Sequence, residues 1–92
     1  MEIVTVQRIE EGSDLEKILM FLVKYPGLSF TCRKIRKEIT KADHIQRNSA
    51  MTEYSLRKLV DKELVERIGL PGHYEYRIKR YMVLKKERAE DE

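Results

Sequence analysis

Residues 48–65 read NSAMTEYSLRKLVDKELV, and this stretch decides the fold of the 92-residue chain. Asn48 or Ser49 can cap a helix, because a side-chain oxygen there accepts a hydrogen bond from a free N–H of the first turn. The helix predicted over 48–62 has an apolar stripe on one side, with the methyl of Thr52 joining Leu56, Leu59 and Val60 and with Glu63 at its end. The opposite side presents an aromatic ring and two cations, in the set Ala50, Tyr54, Arg57, Lys58 and Asp61.

The chain before this helix predicts an arm and a first helix. Residues 1–9 alternate in a way that favours a short strand or an extended arm, which would span 1–12, and the alternative is a frayed terminus. Ser13 or Asp14 can cap the helix that follows, and Pro26-Gly27 should end it at about Tyr25. Spacings of three and four give this helix a buried stripe, formed by Leu15, Ile18, Leu19, Leu22 and Val23, while Phe21 lies off it and packs elsewhere.

A short strand and a second helix are predicted next. Residues 28–30 are long enough only for one or two pairs in a small sheet, and Thr31 is a good helix cap. Phe30 and Ile35 then have the spacing of a hydrophobic staple, and Ile39 continues the inward stripe. We expect this helix to fray around residues 40–43, with 41–47 forming a turn or one ragged extra turn.

The last third of the chain predicts a β-hairpin. Residues 63–70 and 73–79 are rich in β-forming residues and flank the turn signal Pro71-Gly72. Tyr74, Tyr76 and Ile78 should share the inner face of the second strand. A final helix with an acidic tail is predicted over 81–92.

Charge is distributed in blocks along the chain. Residues 31–62 hold nine Lys/Arg against four Asp/Glu, and residues 76–86 hold five Lys/Arg and no acid, whereas both chain ends are acidic. Charge alone leaves two hypotheses open. The cationic blocks form either a face that binds a polyanion or an ordinary solvated surface.

Composition argues against several function classes. The longest apolar run, residues 18–23, is too short for a membrane span, and the acidic N-terminus does not resemble a signal peptide. Cys32 cannot form an internal disulfide, which favours a reducing, intracellular setting. Its neighbours Arg33 and Lys34 favour a lowered thiol pKa, and the alternative is a half-buried structural thiol. We find no metal site, cofactor motif or catalytic constellation, and therefore do not expect an enzyme.

Three stretches resemble the winged helix-turn-helix DNA-binding family. Residues 28–39 resemble its short first strand and second helix, and residues 69–79 resemble its wing. The most specific stretch, SLRKLVDKELVER at 55–67, resembles a recognition helix that passes through a charged turn into Leu-Val of the first wing strand. The resemblance covers about residues 13–80. It implies an α+β fold with a three-helix core, a β-hairpin wing and a C-terminal helix. Small basic proteins of this kind resemble archaeal and archaeal-virus regulators.

Two features depart from the family pattern. Glu63 stands where the family usually has Gly in a left-handed turn. The segment 40–49 between the second and third helices is longer than the turn of a compact helix-turn-helix, so either one helix runs on or the helices cross at a different angle.

The resemblance implies a third helix in the major groove and a wing against a neighbouring groove or the backbone. Arg57 is the leading candidate for a base contact, because its fork can bond guanine O6 and N7 together. Tyr54 would touch a thymine methyl or a phosphate, and the alternative is that it packs against Ile45 or another helix. The other implied contacts on the third helix are Ser49, Ala50 and Lys58. The residues implied to hold the DNA backbone are Thr31, Arg33, Lys34, Arg47 and Asn48, and those implied at the wing are His73 and Arg77.

The expected function is a sequence-specific double-stranded DNA-binding regulator of transcription, acting as a homodimer inside the cell. Its two-fold contact would come from the N-terminal arm or from the helix after Lys79. Two alternatives remain, which are a winged-helix protein-interaction module that uses the region of Phe21, Tyr25 and Tyr81, and a nonspecific architectural DNA-binding protein.

Overall fold

The computed structural model describes residues 9–79, which form three helices and a three-stranded antiparallel sheet. The α+β prediction and the predicted order of elements are confirmed for this range. The predicted C-terminal helix over 81–92, and residues 1–8 of the predicted arm, lie outside the described residues. The elements in chain order are α1 (Asp14–Val23), β1 (Phe30–Thr31), α2 (Cys32–Asp43), α3 (Ser49–Asp61), β2 (Val65–Ile68) and β3 (Glu75–Ile78).

Helix α1 begins with a variant of the capping box, in which Glu16 reaches the residue before the cap. The Ser13 hydroxyl accepts a hydrogen bond from Glu16 N–H at 3.4 Å, and the Glu16 carboxylate accepts one from Gly12 N–H at 2.7 Å. The helix ends at Val23, earlier than the predicted end at Tyr25, because the N–H of Tyr25 bonds to the carbonyl of Leu22 in a tighter turn ahead of Pro26.

Helix α2 is longer than predicted. Thr31 caps it as expected, accepting from Lys34 N–H at 3.1 Å. The predicted fraying over 40–43 is wrong, because the helix closes regularly at Asp43. His44 adopts a left-handed backbone conformation with φ 61°, and its N–H donates to the carbonyl of Thr40 at 2.7 Å. Residues 44–48 then link α2 to α3, so the segment 40–49 is split between the last turn of α2 and a five-residue link, with Ser49 already in α3.

Helix α3 ends in a Schellman motif that turns the chain into β2. Glu63 takes the left-handed conformation with φ 63°, at the place where Gly is the usual residue. The N–H of Leu64 donates to the carbonyl of Leu59 at 3.0 Å, and the N–H of Glu63 donates to the carbonyl of Val60 at 2.9 Å. A non-glycine residue in this conformation is strained, so the sharp exit from α3 is held by these bonds and by burial of Val65.

The sheet has the strand order β1-β3-β2, which places the last strand in the centre. Phe30 pairs with Tyr76, and Val65 pairs with Ile78. Both hairpin strands are shorter than predicted, because residues 69–74 form the turn. Gly69 has φ 106°, and a Cβ there would meet the His73 carbonyl oxygen at 2.6 Å, so the turn needs glycine at this position.

The core lies between the inner face of the sheet and the three helices. The side chains that lie at its centre are Ile18, Leu22, Ile35, Leu56, Leu59 and Val65. Val23, predicted to point inward, is exposed. Phe21 packs away from the α1 stripe as predicted, with its ring centroid 5.5 Å from that of Tyr25 and 5.0 Å from that of Phe30.

Candidate nucleic-acid interface

The face of α3 that points away from the core is set by its cap and its buried stripe. Asn48 caps the helix through its side-chain oxygen, which accepts from Met51 N–H at 2.8 Å. The residues that face the core are Thr52, Ser55, Leu56 and Leu59. The α3 outer face is therefore formed by the exposed side chains of Ala50, Glu53, Tyr54, Arg57, Lys58 and Asp61.

Tyr54 and Lys58 form one unit on this face. The Lys58 ammonium lies 4.9 Å from the centre of the Tyr54 ring, a cation–π distance. The Tyr54 side chain is 58% exposed and Ile45 is 52% exposed, so packing does not take Tyr54 out of solvent. A flat ring beside a cation is suited to contact with a sugar-phosphate backbone or a base edge.

Helices α2 and α3 each carry an exposed arginine. Arg57 on α3 and Arg33 on α2 form no ion pair with any residue in 9–79. Lys34 differs, because its ammonium lies 3.1 Å from the Glu38 carboxylate. That hydrogen bond is the main reason why the pKa of Glu38 is lowered. Lys34 therefore offers less net charge to an anion than Arg33 does.

The starts of α2 and α3 meet at Cys32 and Ser49. The Cys32 thiol lies 3.9 Å from the Ser49 carbonyl oxygen. This contact brings Thr31, Arg33 and Lys34 to the same end of the molecule as Asn48, Ser49 and Ala50. Helix N-termini carry partial positive charge, so two of them side by side favour an anion at this end.

Cys32 itself is half-buried. Burial raises the pKa of its thiol, and the negative charge of Glu53 raises it further, against the opposing effect of Arg36. The alternative that Arg33 and Lys34 lower this pKa is therefore wrong, and the structural thiol is the interpretation that agrees with the geometry.

Arg47 is not at the surface, which corrects its assignment as a phosphate contact. Its side chain is only 1% exposed, and it donates to the Asp43 carboxylate, to the Ile45 carbonyl at 3.0 Å and to Asp14 across the α1 start at 3.0 Å. Lys17 also donates to Asp43, at 2.7 Å. We call these four charged residues, Asp14, Lys17, Asp43 and Arg47, the α1–α2 ion cluster.

The α1–α2 ion cluster fixes the connection between α2 and α3. Hydrogen bonds from Arg47 and then from Lys17 hold the pKa of Asp43 far below its usual range. The Arg47 carbonyl also accepts from Arg36 at 3.4 Å. The i, i+4 spacing of Asp43 and Arg47 is the only sign of this cluster that the sequence carries, because the partners on α1 become adjacent only through the fold.

The β2–β3 hairpin carries its charges in two arrangements. His73 is exposed in the turn, as expected for a residue at the tip. Arg77 donates to the Glu66 carboxylate at 3.0 Å on the outer face, which partly neutralises it as an anion contact. Arg67, which was not among the predicted contacts, lies with its guanidinium carbon 4.3 Å from the centre of the Tyr74 ring. The register of the sheet reveals this contact, because Arg67 pairs with Tyr76 and so lies on the face of the hairpin that carries the tyrosines.

Residues 9–79 contain neither a membrane-spanning helix nor a metal-binding cluster. No helix in that range is long and apolar enough to cross a membrane. No three His, Cys, Asp or Glu side chains come together there in a group able to hold a metal ion.

Comparison of the chain with protein-family models, with curated proteins and with solved structures gave no match.

Proposed function

We propose that residues 13–79 form a winged helix-turn-helix and that the protein binds double-stranded DNA sequence-specifically, as a regulator of transcription. In this proposal α3 enters the major groove, and the β2–β3 hairpin is the wing that lies on an adjacent groove or on the backbone. The observation that carries the proposal is the α3 outer face, on which Arg57 is exposed and unpaired among residues 9–79.

The dimensions of α3 are suited to the groove. Its 13 residues make a rod of about 20 Å, and the major groove, about 12 Å wide, admits one helix. Asp61 is at the C-terminal end of the outer face, where its charge would repel phosphates if the helix lay flat. The part of α3 from its start to Arg57 therefore enters the groove while Asp61 stays outside, with the start of α2 against the backbone.

The contact roles follow from exposure. Arg57 is the base contact, and Arg33 with the partly neutralised Lys34 holds the backbone beside the α2 start. On the hairpin, His73 and Arg67 are the exposed contacts, while Arg77 is held by Glu66. Arg47 acts indirectly, by fixing the connection that presents α3.

A homodimer completes the proposal. Two copies would place two α3 helices about 34–36 Å apart on one face of the duplex, and the operator would be a palindrome. The two segments expected to make the two-fold contact fall mostly outside the described residues. Light scattering at micromolar concentration measures the mass directly, and a monomer with and without DNA contradicts this part of the proposal.

Selection from a random duplex pool, followed by titration across salt, tests the function. Wild type should enrich one motif and bind it about a thousandfold or more tighter than unrelated duplex. Arg57→Gln should lose about 1–3 kcal/mol on the motif, whereas Arg33→Gln should weaken all duplexes alike and reduce the salt slope by about 1.

Lys24→Gln is the matched control, because it also removes one exposed cation, at the end of α1 and on neither α2, α3 nor the hairpin. It should leave both the affinity and the motif unchanged. Weak binding to every duplex, or equal effects of Arg57→Gln and Lys24→Gln, contradicts the proposal. A motif with little advantage over random duplex would instead favour a nonspecific architectural role.

A protein-interaction module is the second candidate, and one observation favours it. The C-terminal end of α1 and the loop after it expose apolar side chains, with Met20 59%, Tyr25 44% and Leu28 56% exposed. Exposed apolar patches often mark protein contacts. Binding of a partner protein that is lost in Leu28→Ser and kept in Arg57→Gln would support this candidate.

A further inference from the structure

We propose that Glu53 selects a cytosine within two base pairs of the guanine contacted by Arg57, and that its negative charge weakens binding to unrelated duplex. The proposal rests on the proposed function and adds a residue that the charge pattern alone would assign to repulsion only.

The position of Glu53 on the helix supports this role. It precedes Arg57 by four residues, which on an α-helix is a rotation of about 40° and a rise of about 6 Å. That rise matches about two base-pair steps, so the two side chains can reach base edges one or two pairs apart. Ala50, three residues before Glu53, is exposed and has only a methyl group, which leaves room for a base pair to approach.

Glu53 lies four residues after Ser49, whose carbonyl oxygen is 3.9 Å from the Cys32 thiol, so it shares the side of α3 that is next to the start of α2. Its charge contributes, after burial, to the raised pKa of the Cys32 thiol, and it makes a smaller contribution to the raised pKa of Tyr76. Lys58 is engaged elsewhere, over the Tyr54 ring. Within residues 9–79 no cation pairs with Glu53, so both carboxylate oxygens are available as acceptors.

The chemistry of a carboxylate restricts what it can contact in the major groove. An ionised carboxylate only accepts hydrogen bonds, so it avoids the guanine acceptors and the phosphates. The donors on the major-groove edges are the amino groups of cytosine and adenine. Glutamate accepts a hydrogen bond from cytosine N4, whereas Asn and Gln pair with adenine because their amide offers both a donor and an acceptor. Glu53→Gln keeps the shape of the side chain and should move the preference at one position from cytosine to adenine.

The test compares wild type, Glu53→Gln and the control Asp61→Asn by selection from a random duplex pool and by titration of the selected duplexes. Asp61→Asn makes the same acid-to-amide change on the same outer face, at the far end of α3. Wild type should prefer cytosine at one position, within two base pairs of the guanine lost in Arg57→Gln, by about five- to a hundredfold. Glu53→Gln should abolish that preference. It should also bind random duplex about threefold tighter, because the repulsion between one carboxylate and a phosphate about 7 Å away in water is removed.

The outcomes separate this inference from the function on which it rests. If wild type selects a motif and Glu53→Gln selects the same motif, or Asp61→Asn causes the same change of base, the role of Glu53 is wrong and the proposed function stands. If wild type selects no motif and binds no duplex, both are wrong. A shift from cytosine to adenine at one position in Glu53→Gln alone supports the inference.

Discussion

Substitution of Arg47 by methionine should destabilise the protein through the α1–α2 ion cluster while the α3 outer face keeps its chemistry. Methionine retains much of the apolar volume, so the change chiefly removes the guanidinium and its bonds. The lost partners are the carboxylates of Asp14 and Asp43 and the carbonyl of Ile45. The two acids would then face each other with one cation, Lys17, between them.

The magnitude follows from how much of the cluster water can reach. Removing one partner of a buried ion pair costs about 3–5 kcal/mol. Here Arg47 is 1% exposed, but the Asp43 and Asp14 side chains keep 18% and 26% exposure, and Lys17 remains on Asp43. Water and Lys17 therefore offset part of the loss, and we expect Arg47→Met to lower the free energy of unfolding by about 2–3 kcal/mol, or Tm by about 10–20 °C.

Urea and thermal unfolding followed by circular dichroism measure this loss. Arg57→Met is the matched control, since it replaces an exposed arginine by the same residue and should change the free energy of unfolding by less than about 0.5 kcal/mol. The DNA affinities should show the opposite contrast at a temperature where both variants are folded, with Arg57→Met the weaker binder. Equal stability of the two variants would refute the account of a buried cluster.

Three further predictions concern the ends of α2 and α3. Asp43→Asn should be less stable than wild type at neutral pH, and the difference in stability should shrink as pH falls below about 4. Below that pH the unfolded wild-type chain takes up a proton at Asp43, whereas the folded chain, in which the pKa of Asp43 is lowered, does not. Urea midpoints at several pH values measure the difference, and a difference that stays constant with pH contradicts the prediction. Asn48→Ala should cost about 1 kcal/mol through loss of the cap, whereas Ser49→Ala, one residue later, should have little effect in the same urea assay. Glu63→Gly should gain about 0.5–1 kcal/mol, since relief of the left-handed strain exceeds the added entropy of the unfolded chain, and Lys62→Gly, at φ −80°, should instead be destabilising.

Local patterns were enough to predict the helices, the caps and the hairpin. Thr31 and Asn48 cap their helices as expected, because capping depends on residues within one turn. The end of α2 was missed because His44 closes it in a left-handed conformation, which sequence favours only weakly in a residue other than Gly or Asn. The strand ends were misplaced because the turn at Gly69 depends on close approach of the His73 carbonyl.

The candidate site was harder to predict, since charge alone does not reveal burial. Arg47 and Arg57 look alike in sequence, both within the basic block 31–62. Only the fold places Asp14 beside Arg47 and leaves Arg57 without a partner in residues 9–79. Lys34 and Arg77 likewise meet acids that make them weaker anion contacts, and Arg67 emerges only from the strand register.

The most direct test of the central claim is the map of amide chemical-shift changes on the labelled full chain when a selected duplex is added. The account predicts changes concentrated at the start of α2, along α3 from its start to Arg57 and in the hairpin, with α1 residues such as Met20 and Val23 unaffected. Changes confined to the exposed apolar end of α1, or no changes at any duplex concentration, would contradict it.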